Sequence, residues 1–399
     1  MLLVVVAGAL FSKIHCQAHR RRAAVGEGSG YDTQGSIGMS DAAFLRKIEV
    51  RDENMHHLHH DAKAEQETVA RFRNSVAFCR LVSFVVNLCA AAAGKTTSEV
   101  AAVAPSPNVQ RLIDVLAEVE AVVQEVEPEK TATRFGNPAF RTLIARLRER
   151  PLGGLSEEVR AYLLAGLGDA VRVDYGTGHE LSFLAFLCAC RHEGRLEAGD
   201  LPSVALVVLA RYFALVRQLQ KRYLLEPAGS RGCWGLDDYQ FLPFLVGAAQ
   251  LSGHPHLRPK SVMDAEIRGA FGAEYMYLCA VDHVHTLKVT SFAEHSPMLY
   301  DITSVRDWAA VHRGLLSMYN REVLGKHAIV QHFVFSSLLP GDAAPEEDVR
   351  RIMDLIPVSA ADRRLGPIAA APQHHIPCCS DALKFPSTLA SSTVKHEHK

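Results

Sequence analysis

The chain is poor in the short signatures that assign a reaction. It has 399 residues, nine cysteines and two tryptophans, and no Cys-x-x-Cys pair. Nine is odd, Cys188 and Cys190 sit in a strongly apolar run, and Cys378-Cys379 are adjacent, a poor spacing for pairing within one fold. These thiols fit a reducing compartment. Charge of one sign is also lacking: the net charge is -1, so no overall field favours nucleic acid or an acidic membrane. Long apolar runs are scarce. MLLVVVAGALF, at the start, has no basic residue ahead of it and is too short to span a bilayer. It reads either as a signal segment or as the product of an early start codon, with Met39 and Met55 following. VALVVLARYFALV is broken by Arg211.

Several catalytic motifs begin and fail. Gly94-Lys95-Thr96 resembles the end of a phosphate-binding loop, but the glycine required five positions earlier is Cys89. Gly176-Thr177-Gly178 would need a small residue at 181, where Leu181 stands. His179-Glu180 would need histidine at 183, which is Phe183. Gly229-Ser-Arg-Gly232 lacks the spacing of a nucleophile elbow. Hydrolase and dehydrogenase chemistry find no support.

What is present is helical periodicity. Apolar content of 48% against 22% charge is that of a globular protein. Residues 1–67 are polar and aperiodic, and read as a disordered or processed extension. In it, His56-His57-Leu58-His59-His60 is a solvated tract rather than a built metal site. Residues 68–340 form a helical domain, and 341–399 a mostly low-complexity extension. Phe78, Leu81, Val82, Val85 and Cys89 share one face, as do Leu112, Val115, Val119, Val122 and Val126. Further helices are predicted over 156–166, 180–192, 203–224 and 305–319. Strand signals are confined to Val171–Asp174 and Ile329–Phe335, so the predicted fold is all-α.

Three stretches interrupt the helices. In the first, Thr177-Gly-His-Glu180 has the spacing of a capping box, with Thr177 as N-cap and Glu180 at the third helical position. Its glycine-rich helix start suits a phosphate, and Arg172 can supply a countercharge. The second, Glu226 to Asp238, places Trp234 in a glycine-rich loop, with Asp237 and Asp238 at the start of the next helix. In the third, Ala328–Phe335, His332 reads equally as a satisfied core histidine.

Taken in order, Arg134-Phe-Gly-Asn-Pro-Ala-Phe-Arg141, Asp174-Tyr-Gly-Thr-Gly-His-Glu180, Glu226-Pro-Ala-Gly-Ser230, Trp234-Gly-Leu-Asp-Asp-Tyr-Gln-Phe-Leu-Pro-Phe244, Ala293-Glu-His-Ser296 and Val330-Gln-His-Phe333 resemble the phosphotyrosyl phosphatase activator family, also described as protein phosphatase 2A activators. The resemblance covers roughly residues 70–340. It implies an all-helical fold with core, lid and linker parts around a deep cleft. It also implies action on the phosphatase 2A catalytic subunit, with or without its scaffold subunit, binding of ATP with magnesium, and peptidyl-prolyl isomerase activity on a proline-containing segment. By matching motifs, nucleotide contacts fall on Arg172, Thr177, Gly178, Gln331, His332 and Phe333. Magnesium lies near Gly232 and Asp238. Peptide or phosphatase contacts fall on Trp234, Asp237, Phe292, Glu294 and His295. The implied location is cytoplasmic, with the nucleus left open. Two departures stand out: Thr290-Ser291 where the family has Gly-Pro, and Ser336 where it has glycine.

Prolyl isomerisation needs no nucleophile, because its barrier of about 18–20 kcal/mol is amide resonance. A pocket that binds the twisted amide best suffices. Desolvation by Trp234 and Phe292, with a donor to the proline nitrogen, would serve, and no single residue is assigned as catalytic. The rival reading is a binding chaperone without turnover. An independent ATPase has no phosphate-gripping lysine motif behind it.

Overall fold

The computed structural model describes residues 62–357, apart from 131–134, 230–231 and 233–234. The expectations for residues 1–61, for Trp234 and for the tail beyond 357 lie outside the described residues. Helix α1 (Ala62–Arg73) leads into α2 (Val76–Ala92), whose Phe78, Leu81, Val82, Val85 and Cys89 are all buried. The first amides of α2 are fully accounted for. Ser75 Oγ accepts from Phe78 N, and the carbonyls of Asp342 and Pro340 accept from Val76 N and Ala77 N at 3.0 Å. The folded part continues past 340, with helix Glu346–Asp354 packing on α2 and burying Ile352.

Helices α3 (Thr97–Ala101), α4 (Pro107–Glu125), α5 (Ala139–Glu149) and α6 (Glu157–Ala165) follow. Of the first predicted strand only Asp174 pairs; with Tyr175, just beyond it, it forms β1, parallel to β2 (Glu226–Pro227). α7 (Thr177–His192) is buried almost all round from Leu181 to Cys190, against α6 and α2. A helical run through Leu201–Ser203 and a π-helical turn, Val204–Val208, enters α8 (Leu209–Tyr223). Among the described residues this run, from Ala198 to Tyr223, is the one helix long and apolar enough to cross a membrane. Its apolar side packs inside the fold, and Arg211 pairs with Glu120 at 2.6 Å.

α9 (Leu242–Gln250) is buried at every position and lies between α2, α11 (Met276–Leu287) and α14 (Trp308–Glu322). A Cβ on Gly247 would stand 2.4 Å from Tyr277 N, so the α9–α11 approach requires glycine. Between them runs α10 (Ala265–Phe271), and after α11 come α12 (Phe292–His295) and α13 (Pro297–Ile302). The second predicted strand, Ile329–Phe335, does not form. Its first residues belong to α15 (His327–Val330), where Gln331 N already bonds to His327 O at 3.0 Å. Beyond the turn, Phe333 and Phe335 close on Phe72, with centroids 5.1 and 6.3 Å away, so ring packing rather than a ladder holds this segment.

Candidate functional site

The start of α7 is assembled by backbone. Ala228 N donates to Tyr175 O at 2.9 Å and Glu226 N to Val173 O at 3.2 Å, which sets the second glycine-rich stretch beside the first. Gly176 is buried at this junction. A Cβ there would sit 2.7 Å from Ala228 O, so only glycine permits the approach. Arg141 holds the preceding loop through Ala170 O and Val171 O, at 3.1 and 3.2 Å. Arg141, at the end of its motif, thus braces this loop.

The N-cap of α7 is Gly176, with Thr177 one position inside, and no side chain caps it. The capping-box expectation is therefore corrected. His179 N and Glu180 N donate to Gly176 O at 2.9 and 3.1 Å, which leaves the amides of Thr177 and Gly178 as the ones without a partner inside the helix. Arg172, about half exposed, donates from Nε to Asp174 at 2.8 Å and lies 3.5 Å from Asp169. His179 Nε2 is 3.4 Å from the other Asp174 oxygen, and its Nδ1 meets Ala165 O at 2.8 Å. Burial by itself would raise the Asp174 carboxyl, but hydrogen bonds from His179 and Arg172 outweigh it and hold it below its ordinary value. α15 packs on α7, and a Cβ on Gly178 would stand 3.8 Å from Ile329 Cγ2. His332, two residues beyond α15, is held below its ordinary value by burial and then by Arg172 and His179. Phe333 stacks on Tyr162 with centroids 6.1 Å apart. The structure thus gathers Arg172, Thr177 and Gly178, with Gln331, His332 and Phe333 in the adjoining segment.

Glu180 is fully buried, and its carboxylate accepts from Phe241 N and Leu242 N at 3.0 Å. It caps α9, not its own helix. Burial pushes its acid up to about 8 against the pull of these two amides. Just ahead of α9, Asp237 accepts from Tyr239 N and Gln240 N at 3.0 and 2.9 Å. Burial, and then the neighbouring Asp238, raise the Asp237 carboxyl. Asp238 pairs with Lys288 Nζ at 2.7 Å, and the same Nζ reaches His295 O at 3.3 Å. Lys288 therefore joins the aspartate loop to the 292–295 segment, a link that sequence inspection missed.

Phe292 faces inward, 7% exposed, with its ring 4.8 Å from His285. It supports the loop from beneath and offers no open face. Glu294 is exposed and accepts from Ser291 N at 3.2 Å, so the serine that replaces proline works as a helix cap. Burial, and then Lys288, lower His295 to about 4. Ser336, the other departure, accepts from Leu339 N at 3.1 Å and closes a turn without needing glycine. Gly232 O accepts from Gly235 N at 3.1 Å.

Residues 62–341 match the family described as phosphotyrosyl phosphate activator (PTPA) protein. The chain belongs to this family. It is 37% identical over 346 residues to serine/threonine-protein phosphatase 2A activator 2 of Cryptococcus neoformans, covering 83% of this chain and 89% of that protein. To the protein of the same name from Candida albicans it is 34% identical, covering 84% and 95%. The crystal structure of the PP2A phosphatase activator Ypa1 PTPA1 superposes with a TM-score of 0.63 at 30% identity, covering 70% of this chain and 93% of that one.

The donor sets at the two places differ. An open helix start, a half-exposed guanidinium and an aromatic segment suit a nucleotide polyphosphate. Among the described residues no group of three or more His, Cys, Asp or Glu side chains could hold a metal. Asp238 is already neutralised by Lys288, so it offers at most one ligand to a magnesium ion held mainly by phosphate and water.

Proposed function

We propose that this chain activates the catalytic subunit of protein phosphatase 2A, in a manner dependent on ATP and magnesium. Family membership and the names of its relatives support the activator reading. The observation that carries the nucleotide reading is the packing of α15, which leads into Gln331-His332-Phe333, on the Thr177-Gly178 helix start beside Arg172. Arg172, Thr177, Gly178, Gln331, His332 and Phe333 hold the nucleotide, and Asp238 with the Gly232 backbone faces its magnesium. When bound, Mg-ATP supplies a compact block of charge that neutralises the guanidinium and the helix end.

Trp234, Asp237, Glu294 and His295 form the partner surface, with Phe292 and Lys288 holding the loop from below. Proline isomerisation is the associated activity: a desolvated pocket that favours a twisted X-Pro amide of the phosphatase lowers the resonance barrier. The free, buried cysteines Cys79, Cys89, Cys188 and Cys190 suit a reducing, cytoplasmic setting. The second reading, a phosphatase-binding chaperone without turnover, is favoured by the buried state of Phe292, which leaves fewer open apolar groups for a proline.

The test is capture of the phosphatase catalytic subunit by the full chain, with and without Mg-ATP, followed by assay of phosphatase reactivation. No capture in either condition defeats the activator reading. Reactivation by a Trp234→Ala variant that has lost isomerase activity would favour the chaperone.

A further inference from the structure

Glu180 joins two places that the proposed function uses separately. It lies on α7, one turn in from Thr177-Gly178, and its carboxyl group ends on the first amides of α9, three to four residues beyond Asp238. The two segments are 61 residues apart in sequence, and α9 is buried at every position. A displacement of the α7 start therefore pulls on the α9 start, and α9 itself cannot absorb it by sliding.

We propose that Glu180 is a positioning residue that couples the phosphate-facing start of α7 to the Asp237-Asp238 loop, so that nucleotide binding and phosphatase binding strengthen each other. This rests on the functional reading above.

Three features support it. The carboxylate is fully buried, a costly placement that is tolerated when its hydrogen bonds hold something in place. It is also surrounded on several sides. Asp237, Arg217, Tyr175, Tyr212 and Tyr319 all lie near enough to interact with it electrostatically, and Tyr319 packs at 5.3 Å on the ring of Phe241, whose amide donates to Glu180. Of these, Tyr175 belongs to the glycine-rich stretch and Asp237 to the partner loop. Finally, Tyr175 and Tyr212 share a 2.8 Å hydrogen bond and Tyr212 donates to Gly166 O at 2.7 Å, which leaves the strut little room to tilt.

The experiment measures Mg-ATP affinity of the full chain with and without the phosphatase catalytic subunit, and takes the ratio. Wild type is expected to bind ATP at least about fivefold more tightly beside the phosphatase. Glu180→Ala is expected to bring the ratio to one. Glu180→Asp, which keeps the carboxyl group but shortens the reach, is expected to cut it about threefold. If the alanine variant does not fold, the aspartate variant carries the test. Glu180→Gln keeps an oxygen that can accept both amides, and is expected to retain most of the coupling. A role in stability alone would weaken each ligand's separate binding and leave the ratio unchanged. An unchanged ratio in the alanine or aspartate variant overturns the coupling, and so does its complete loss in the glutamine variant. A wild type that binds both ligands independently overturns this proposal alone, whereas one that binds neither overturns the functional reading beneath it.

Discussion

Lys288 Nζ stands 2.7 Å from the Asp238 carboxylate, and the two side chains are only 15% and 14% exposed. A pair so shielded from water keeps most of its attraction, and removing one member leaves a poorly solvated charge. Lys288→Met is therefore expected to lower stability by about 1–3 kcal/mol in urea titrations. It should also release Asp238 from this ion pair. If that carboxylate faces magnesium, the metal concentration needed to retain ATP falls in the variant. An unchanged requirement removes Asp238 from the metal.

How far the sequence disclosed this arrangement depends on how local each signal is. The spacing of Phe78 to Cys89 and of Leu112 to Val126 marks helices because each face is written within one segment, and those residues are buried. The Val-Gln-His-Phe-Val-Phe alternation mimics a strand, but with no neighbouring strand to pair with, its phenylalanines found Phe72 instead. Thr177 and Glu180 have capping-box spacing, yet Glu180 serves Phe241, which no local pattern connects to it. The motif residues around Arg172 were identifiable by likeness. Lys288 was not, because its partner loop lies 50 positions earlier in the chain.

Gly176 and Gly178 should respond oppositely to alanine. Gly176→Ala forces a Cβ against the Ala228 carbonyl and is expected to cost about 1–3 kcal/mol by chemical denaturation. Gly178→Ala meets nothing closer than 3.8 Å and gains helix propensity, so its stability should hold or rise by up to about 1 kcal/mol. Its Mg-ATP affinity should nevertheless fall, because the methyl group crowds the approach of phosphate to the backbone. Calorimetric titration of the same two proteins checks both halves.

Arg172→Ala is expected to weaken Mg-ATP binding roughly tenfold, the size of one charge-assisted hydrogen bond. Its side chain is 48% exposed, so its bond to Asp174 adds little to folding and the unfolding midpoint should barely move. A variant with undiminished ATP affinity would place the phosphate elsewhere.

The acid of Glu180, raised by burial to about 8 from an ordinary value near 4.5, has a definite sign in linkage. Between these values the native state holds a proton that the unfolded chain has lost, so the contribution of Glu180 to stability declines as pH rises from about 5 to 8. Wild type minus Glu180→Gln, compared by urea denaturation across that range, should show this decline. A flat difference would mean that the carboxylate is charged throughout.

The amides that open α2 are closed by carbonyls at Pro340 and Asp342, and Arg73 reaches Met353 across 280 residues of sequence. During synthesis that partner arrives last. At about 5–20 residues per second, the start of α2 waits roughly 15 to 50 seconds after leaving the ribosome before its closing strap exists. Through that interval the nascent chain carries an apolar helix with an open end, a natural target for cotranslational chaperones. A message truncated before codon 340 should therefore yield a product that chaperones retain and do not release.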